Sequence, residues 1–161
     1  MENLFENEYI METKYFKEYV YNILCKKMII TGYIVALIGI LFFLFTSSQN
    51  SYIVLTAASI AFIATILTPI ITVKQLEESE KKLNNGNIEK TNIKFSNNII
   101  MNEGKVHLEF EYSQILQIAH TKNFIVLKIS KQSAILVFKN GFLKGNEKEF
   151  LDFIEKQINR D

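Results

Sequence analysis

The sequence predicts a membrane α+β protein, in which a two-helix transmembrane hairpin is followed by a small antiparallel β-sheet domain closed by a C-terminal helix. Three observations predict this class. The 46 positions from 28 to 73 carry no charged residue, although the 161-residue chain has 18 Lys+Arg and 17 Asp+Glu. After Gly86, apolar and polar residues alternate as in half-buried strands. The end of the chain has the spacing of an amphipathic helix.

The first 27 residues are expected to form a cytoplasmic segment with a short strand and an amphipathic helix. Leu4 to Met11 alternates imperfectly and is a strand candidate that could complete the C-terminal sheet. From Thr13 onward, apolar residues fall on one helical stripe that leads into the first span. The stripe comprises Tyr15, Phe16, Tyr19, Val20, Ile23 and Leu24. Its tyrosines suit the headgroup region of a bilayer.

Residues 28–73 are expected to cross a membrane twice. Met28–Phe45 and Tyr52–Val73 are apolar runs on either side of the polar patch Thr46–Ser51. As helices they would reach about 27 and 33 Å, against a hydrocarbon thickness of about 30 Å. The alternative is a helical hairpin buried in a soluble core. The remaining 115 residues are too few to cover two helices that are apolar all round, so we favour the spans.

Five lysines flank the apolar runs and predict their orientation. Lys26 and Lys27 precede the first run, Lys74 follows the second, and Lys81 and Lys82 lie close behind, whereas the polar patch is uncharged. By the positive-inside rule, both termini face the cytoplasm. The same five lysines are candidates for contact with the lipid surface.

Small residues on both runs are candidates for close helix packing. They recur every three or four positions, at Gly32, Ala36 and Gly39 in the first run and at Ala57, Ala61 and Thr65 in the second. Such ridges let helix backbones approach each other in lipid. They could serve packing within one hairpin or a homodimer through the spans, and the sequence leaves both open.

Residues 74–86 are expected to form a helical stalk that ends at Asn84-Asn85-Gly86, and residues 87–161 a cytoplasmic domain. Strands are predicted over Asn92–Ser96, Asn98–Asn102, Lys105–Tyr112, Ile115–His120, Phe124–Ser130 and Ser133–Lys139. The third has the cleanest alternation, with Val106, Leu108, Phe110 and Tyr112 on one face. A closing helix is predicted after the N-cap Asn146, with its buried stripe at Phe150, Leu151, Ile154 and Ile158.

Several stretches of the chain are similar to one known family. They are Tyr15-Phe16 with Tyr19, Phe110 to Ile115, Ala134 to Lys139 with Phe142, and Glu149-Phe150 with Ile154. On these residues the chain resembles the YcxB-like family of bacterial membrane proteins. It departs from the family at Tyr112, where members often have Trp, and at Phe138-Lys139, where they have Pro-Lys. The resemblance implies a C-terminal domain with a pleckstrin-homology-like (PH-like) fold and a location in the bacterial cell (inner) membrane. It transfers no catalytic residue.

The sequence contains little that points to catalysis. It has no Gly-rich phosphate loop, Walker motif, CxxC pair or HExxH helix, so no catalytic residue, metal site or cofactor is predicted. Cys25 lies beside two lysines that favour a thiolate, but a lone juxtamembrane thiol is more often inert or lipidated. His107 and His120 are expected to be solvated rather than metal ligands. The nearly balanced charge argues against nucleic acid as a partner.

Two function classes are compatible with these features of the sequence. The first is a membrane-anchored, non-catalytic interaction module that docks an unidentified protein at the inner leaflet, for which strand addition at an open sheet edge is one mode. The alternative is a sensor of anionic lipid headgroups that uses surface lysines. The lysines concerned are Lys90, Lys94, Lys105, Lys122, Lys139 and Lys144. An enzyme would need a convergent polar pocket, and the one partner predicted directly is the lipid bilayer.

Overall fold

The computed structural model describes residues 4–46, 50–131 and 133–158. The chain divides into two compact units. One comprises Met1–Tyr15 with Glu78–Asp161 and is called the sheet unit, and the other comprises Phe16–Glu77 and is called the hairpin unit. The structure confirms the predicted α+β class, because two long apolar helices are followed by antiparallel sheets and a C-terminal helix.

Two long helices account for most of the hairpin unit. Helix α2 spans Lys26–Phe45 and helix α3 spans Asn50–Leu83. Both are long and apolar enough to cross a membrane by length and composition. Residues 47–49 of the predicted turn Thr46–Ser51 lie outside the described residues, and α3 has already begun at Asn50.

The predicted stalk belongs to the same helix as the second apolar run, because α3 continues to Leu83. Asn85 and Gly86 then adopt positive φ angles of 55° and 94°. This left-handed backbone cannot continue a helix, and glycine and asparagine are the residues that adopt it most readily. The predicted stop at Asn84-Asn85-Gly86 is therefore confirmed.

The segment that leads into α2 is less regular than the sequence predicts. Helix α1 spans Thr13–Tyr19, and a π-helical turn, Val20–Leu24, separates it from α2. The Cys25 N–H donates to the Val20 carbonyl at 2.7 Å, which closes the wider turn. The predicted helical segment before the first span is therefore present but interrupted, because the extra residue in the π turn changes the helical phase.

The sheet unit contains two antiparallel sheets, where the sequence predicted one. The first has the order β4-β3-β2-β1-β8 and the second the order β5-β6-β7. The strand bounds are β1 Phe5–Ile10, β2 Lys90–Phe95, β3 Ile99–Glu103, β4 Val106–Phe110, β5 Gln117–His120, β6 Phe124–Lys128, β7 Ala134–Phe138 and β8 Phe142–Lys144. Strand β8 was not predicted, since three residues are too short to show a period of two.

The N-terminal strand completes the first sheet, as the sequence allowed. Strand β1 pairs with β2 from Phe5↔Phe95 to Ile10↔Lys90 and with β8 on its other side. Because β1 precedes the hairpin unit and β2 follows it, the hairpin is inserted between two neighbouring strands of one sheet.

An aromatic core holds the C-terminal helix, α4, which spans Glu147–Ile158. Asn146 Oδ1 accepts the Glu149 N–H at 3.0 Å, which confirms the predicted N-cap. Phe150 and Ile154 are fully buried, whereas Leu151 and Ile158 are only half-buried. The Phe150 ring lies within 5.5 Å, centroid to centroid, of the rings of Phe5, Phe95 and Phe142.

A buried asparagine joins the two sheets. Asn7 of β1 is fully buried, its Nδ2 donates to the Phe138 carbonyl at 2.8 Å, and its Oδ1 accepts the Phe138 N–H at 3.0 Å. The rings of Tyr9 and Tyr15 pack on Phe124 and Phe138 around this bridge. The N-terminal segment is therefore part of the core of the sheet unit.

Candidate functional site

The side chains with catalytic or metal-binding chemistry are scattered in the described ranges. Residues 4–46, 50–131 and 133–158 contain no group of three or more His, Cys, Asp or Glu that could hold a metal ion. His107 and His120 are exposed, and His107 Nδ1 lies 2.6 Å from Asn102 Oδ1. Cys25 is buried as a free thiol.

A small, largely buried polar cluster lies where α3 ends inside the sheet unit. Thr91 Oγ1 donates to Glu103 Oε2 at 3.3 Å. Burial raises the pKa of the Glu103 carboxyl, and the hydrogen bond from Thr91 partly opposes the rise. Gly104, at φ 54°, lies so close to Asn84 that a Cβ would overlap the asparagine side chain. The cluster therefore fixes the β3–β4 turn to the end of α3.

Tyr112 is one of the residues at which the chain departs from the family that it resembles. Its hydroxyl donates to the Ser96 carbonyl at 2.9 Å, and its ring packs edge-on against Phe153 with centroids 5.5 Å apart. Burial raises the pKa of the Tyr112 hydroxyl above its ordinary value of 10.0. Tyrosine thus supplies the aromatic packing and polar donor that a Trp also has.

Strand β4 forms an open edge of the five-stranded sheet. It pairs with β3 from Ile99↔Phe110 to Glu103↔Val106, and within the described part of the chain no strand pairs with its outer side. An edge strand presents unpaired backbone N–H and C=O groups in a row, which is a template for another strand. This row is therefore a candidate site for binding another chain, although β8, β5 and β7 also lie at the edges of their sheets.

Both faces of β4 are partly accessible, although Val106 and Phe110 are half-buried. Val106, Leu108 and Phe110 share one face, and Leu108 is 41% exposed. His107 and Glu109 lie on the other face, and both are exposed. The predicted strand Lys105–Tyr112 is too long, because Tyr112 belongs to a 3-10 turn, Tyr112–Gln114. Within the strand, the predicted division into an apolar and a polar face is observed.

The small residues of the hairpin bring α2 and α3 together. A Cβ added to Gly32 would lie 2.8 Å from Thr65 Cβ, and one added to Gly39 would overlap Ala58 Cβ. Ala36, Ala58 and Thr65 are buried. The Thr65 hydroxyl donates to the Ala61 carbonyl of its own helix at 2.8 Å, so its polar group is satisfied without a partner helix.

On α3, the first small residue that contacts α2 is Ala58, one position after the predicted Ala57. Ala57 is exposed and Ala61 half-buried, and Ala58 instead lies against Gly39. The sequence offers Ala57 and Ala58 side by side, and only the packing of the two helices selects between them. Gly32, Gly39 and Thr65 serve packing within one hairpin.

An apolar groove of about 300 Å³ lies beside this contact. Its lining is apolar except for Ser59, and consists of Ala36, Ile40, Leu55, Ala58, Ser59, Phe62 and Ile63. The Ser59 hydroxyl donates to the Leu55 carbonyl of its own helix at 2.8 Å. The groove therefore offers a surface for hydrocarbon and no convergent polar group.

The candidate lipid-surface lysines lie at the start of α2, inside α3 and in the last turn of α3. In the hairpin unit, Lys26, Lys27 and Lys74 are exposed, and in the sheet unit, Lys82 is exposed and Lys81 half-buried. Among the lysines proposed for headgroups, three form ion pairs within the sheet unit. These pairs are Lys90–Glu8 at 2.9 Å, Lys94–Glu6 at 3.8 Å and Lys139–Glu147 at 3.5 Å.

Together these observations define a small antiparallel α+β domain with an apolar helical hairpin inserted between two of its strands. Residues 95–154 match the family model described as YcxB-like protein. This segment, from the last residue of β2 into α4, is a YcxB-like domain, and the predicted resemblance is confirmed over it. No curated protein and no solved structure matches the chain.

Proposed function

We propose that this protein is a membrane-anchored, non-catalytic interaction module with a PH-like domain at the cytoplasmic face. The hairpin crosses the bacterial inner membrane twice, and the open edge of β4 receives an extended segment of a protein partner by strand addition. The observation that carries the proposal is β4 itself, which within the described residues is paired on one side only and has exposed side chains at His107, Leu108 and Glu109.

The hairpin supports the membrane anchor. Within the described residues, most large apolar side chains that remain exposed lie on α2 and α3. Burial of one Leu, Ile or Phe side chain contributes about 1.5–3 kcal/mol, so such a surface is strongly disfavoured in water. Lipid is the solvent that suits this apolar surface. Lys26 and Lys27 before the first apolar run, and Lys74 after the second, suit the headgroup region.

The sheet topology supports the orientation. Because β1 and β2 are neighbours, the chain leaves and re-enters the sheet unit on one side of any membrane that the hairpin crosses. An even number of spans satisfies this condition. The basic residues next to the spans, together with the uncharged patch between them, favour the cytoplasm for the sheet unit.

The arrangement of the sheet unit supports the PH-like fold that the family resemblance implies. Two antiparallel sheets are joined through Asn7 and Phe138, and an amphipathic helix packs on the aromatic core. On such a scaffold, strand addition at β4 would satisfy backbone groups, and Val106, Leu108 and Phe110 would supply apolar contacts.

The alternative, a sensor of anionic headgroups, ranks second. Lys90, Lys94 and Lys139 bind carboxylates of the same unit, so their charges are partly neutralised before any lipid is met. The full chain in anionic and in neutral nanodiscs distinguishes the two functions by hydrogen exchange. A slower exchange of β2 and β7 with anionic lipid alone would favour the sensor.

A photo-crosslinking residue at position 108 of the full chain, in its native membrane, tests the docking edge. Ile10 is the matched control, because it is a similarly exposed apolar residue, at 49%, that lies on β1 and pairs with β2, away from the β4 edge. We expect protein adducts from position 108 and few from position 10. Equal yields from both positions, or none from position 108, would contradict strand addition at β4.

Cysteine labelling tests the anchor. In a Cys25→Ala background, Ser51→Cys in the polar patch should react with an impermeant reagent from outside the cell. Asn140→Cys, in a β7–β8 turn, should react only after lysis. Reaction of both before lysis, or release of the chain by alkaline carbonate, would contradict the two-span topology.

A further inference from the structure

We infer that the segment received by β4 is β4 of a second copy of this chain, so that two sheet units join edge to edge about a twofold axis. The inference rests on the proposed function, because it names the partner of the same edge. It follows from the order of side chains along one short stretch, Lys105 to Glu111.

The stretch is self-complementary when it pairs antiparallel about Leu108. In that register Leu108 faces Leu108 of the other copy, and His107 faces Glu109. Val106 then faces Phe110, and Lys105 faces Glu111. Every basic residue of one copy is opposite an acidic residue of the other, and every apolar residue is opposite an apolar one. Direct cross-strand neighbours of this kind stabilise a sheet.

Neighbouring registers lack this match. Centring the pairing on Glu109 would place two Glu109 carboxylates face to face, and centring it on His107 would do the same for two imidazoles. Centring it between two residues would set the polar face of one strand beside the apolar face of the other. The sequence of β4 therefore specifies one register with a second copy, rather than a general affinity for strands.

His107 and Glu109 of β4 contact neutral side chains within their own sheet, unlike the carboxylates of the interior strands. On the interior strands, Glu8 pairs with Lys90 and Glu6 with Lys94. On the edge, His107 contacts the neutral Asn102 at 2.6 Å and Glu109 accepts a bond from the neutral Asn98 at 2.7 Å. Within the described ranges neither side chain has an ionisable partner, and in the pairing centred on Leu108 each would face the other across the twofold axis.

The anchor favours such a pair. Two copies held in the same bilayer meet at a high effective concentration, so a short edge interaction can be populated although it would be weak between free domains. A symmetric contact also closes on itself, since each copy uses its only β4 edge and no further copy can add there.

Disulfide capture in native membranes tests the inference with the full chain. The Leu108→Cys variant in the Cys25→Ala background should form a dimer of about twice the 18.7 kDa chain mass on mild oxidation. Antiparallel opposite residues have Cα atoms about 4.5–5.5 Å apart, which suits a disulfide. The Ile10→Cys control should give little dimer.

Charge variants in the Leu108→Cys chain test the register. His107→Glu creates two Glu–Glu contacts across the axis and should lower the dimer yield about fivefold or more. Adding Glu109→Lys to that chain creates two Glu–Lys contacts and should restore the yield. A role of His107 in folding alone would not be rescued by this second change.

The outcomes separate this inference from the proposed function. Dimer formation with rescue by the second charge change supports the inference. A position-108 photo-adduct with a different protein and no self-dimer overturns it while leaving the docking module intact. A dimer that does not form a disulfide at position 108 and is unaffected by His107→Glu also overturns it. No adduct of any kind at position 108 overturns both.

Discussion

The hairpin unit and the sheet unit place their apolar residues in opposite ways. In the hairpin, small residues such as Gly39 and Ala58 lie between the helices, while large ones such as Phe45 and Ile53 are exposed. In the sheet unit, Phe150 and other large side chains are buried, and ion pairs cover the outer face of β1 and β2. Helices packed in lipid gain from close backbone contact, whereas a domain in water gains from removing large apolar surfaces from the solvent.

The largest expected effect is at the centre of the aromatic core. Phe150→Ala removes a fully buried ring that contacts three other rings, and should cost the sheet unit about 3–5 kcal/mol. Thermal unfolding of the full chain in detergent, followed by near-ultraviolet circular dichroism, measures it. Phe45→Ala, at an 85% exposed site, is the control and should leave that transition nearly unchanged. Similar losses of stability in both variants would contradict the difference in apolar packing between the sheet unit and the hairpin unit.

The bridge between the sheets comes next. Asn7→Ala leaves the Phe138 N–H and carbonyl without their side-chain partner, and an unsatisfied buried group costs about 1–3 kcal/mol. The same unfolding measurement applies. Asn98→Ala is the control, because the bond from Asn98 to Glu109 is exposed and its loss should cost under about 0.5 kcal/mol. Equal effects would mean that the bridge is not a structural element.

In the hairpin, two adjacent alanines distinguish a packed position from an exposed one. Ala58→Leu adds volume beside Gly39 and should destabilise the helix contact by about 1–3 kcal/mol. Ala57→Leu adds the same volume at an exposed position and should have little effect. Disulfide yield between cysteines placed on α2 and α3 measures the contact. A larger effect at Ala57 would restore the ridge that the sequence predicted.

The smallest effect concerns the half-buried Glu103. Its pKa in the folded chain is raised above the ordinary value of 4.5, so the folded state holds its proton more tightly than the unfolded state does. Stability is therefore lost as pH rises from 4.5 through the raised pKa. Glu103→Gln has no such titration and should be more stable than the natural chain at pH 7. Below pH 4.5 the Glu103→Gln variant and the natural chain should be equally stable. If the variant is still more stable there, burial of the Glu103 charge is not the cause of the difference.

Much of the fold could be predicted because it depends on local patterns. The uncharged stretch predicts two apolar helices, and Asn85-Gly86 predicts the end of the second. Asn146 marks the start of α4 through a bond that spans only three residues. These features need no knowledge of distant residues, so composition and spacing were sufficient.

The candidate site could be predicted only in part. The alternation from Val106 to Phe110 indicates a strand, and the sequence could name an open edge as one docking mode, but it could not say which strand is the edge. A period of two is the same for an edge and a central strand, so the alternation alone does not identify an edge. The choice between Ala57 and Ala58 is of the same kind, because both fit a small-residue ridge.

The sequence by itself determined the solvent preference of each segment, the helix ends and the strands with clear alternation, because these depend on residues close together in the chain. Only the tertiary structure decided that β1 pairs with β2, although the hairpin lies between them in the sequence. It also decided that Asn7 bridges two sheets and that β4 lies at a sheet edge. Strand order joins residues that are more than 80 positions apart, as Phe5 and Phe95 are. No local period contains that information, since pairing is selected by the packing of the whole core.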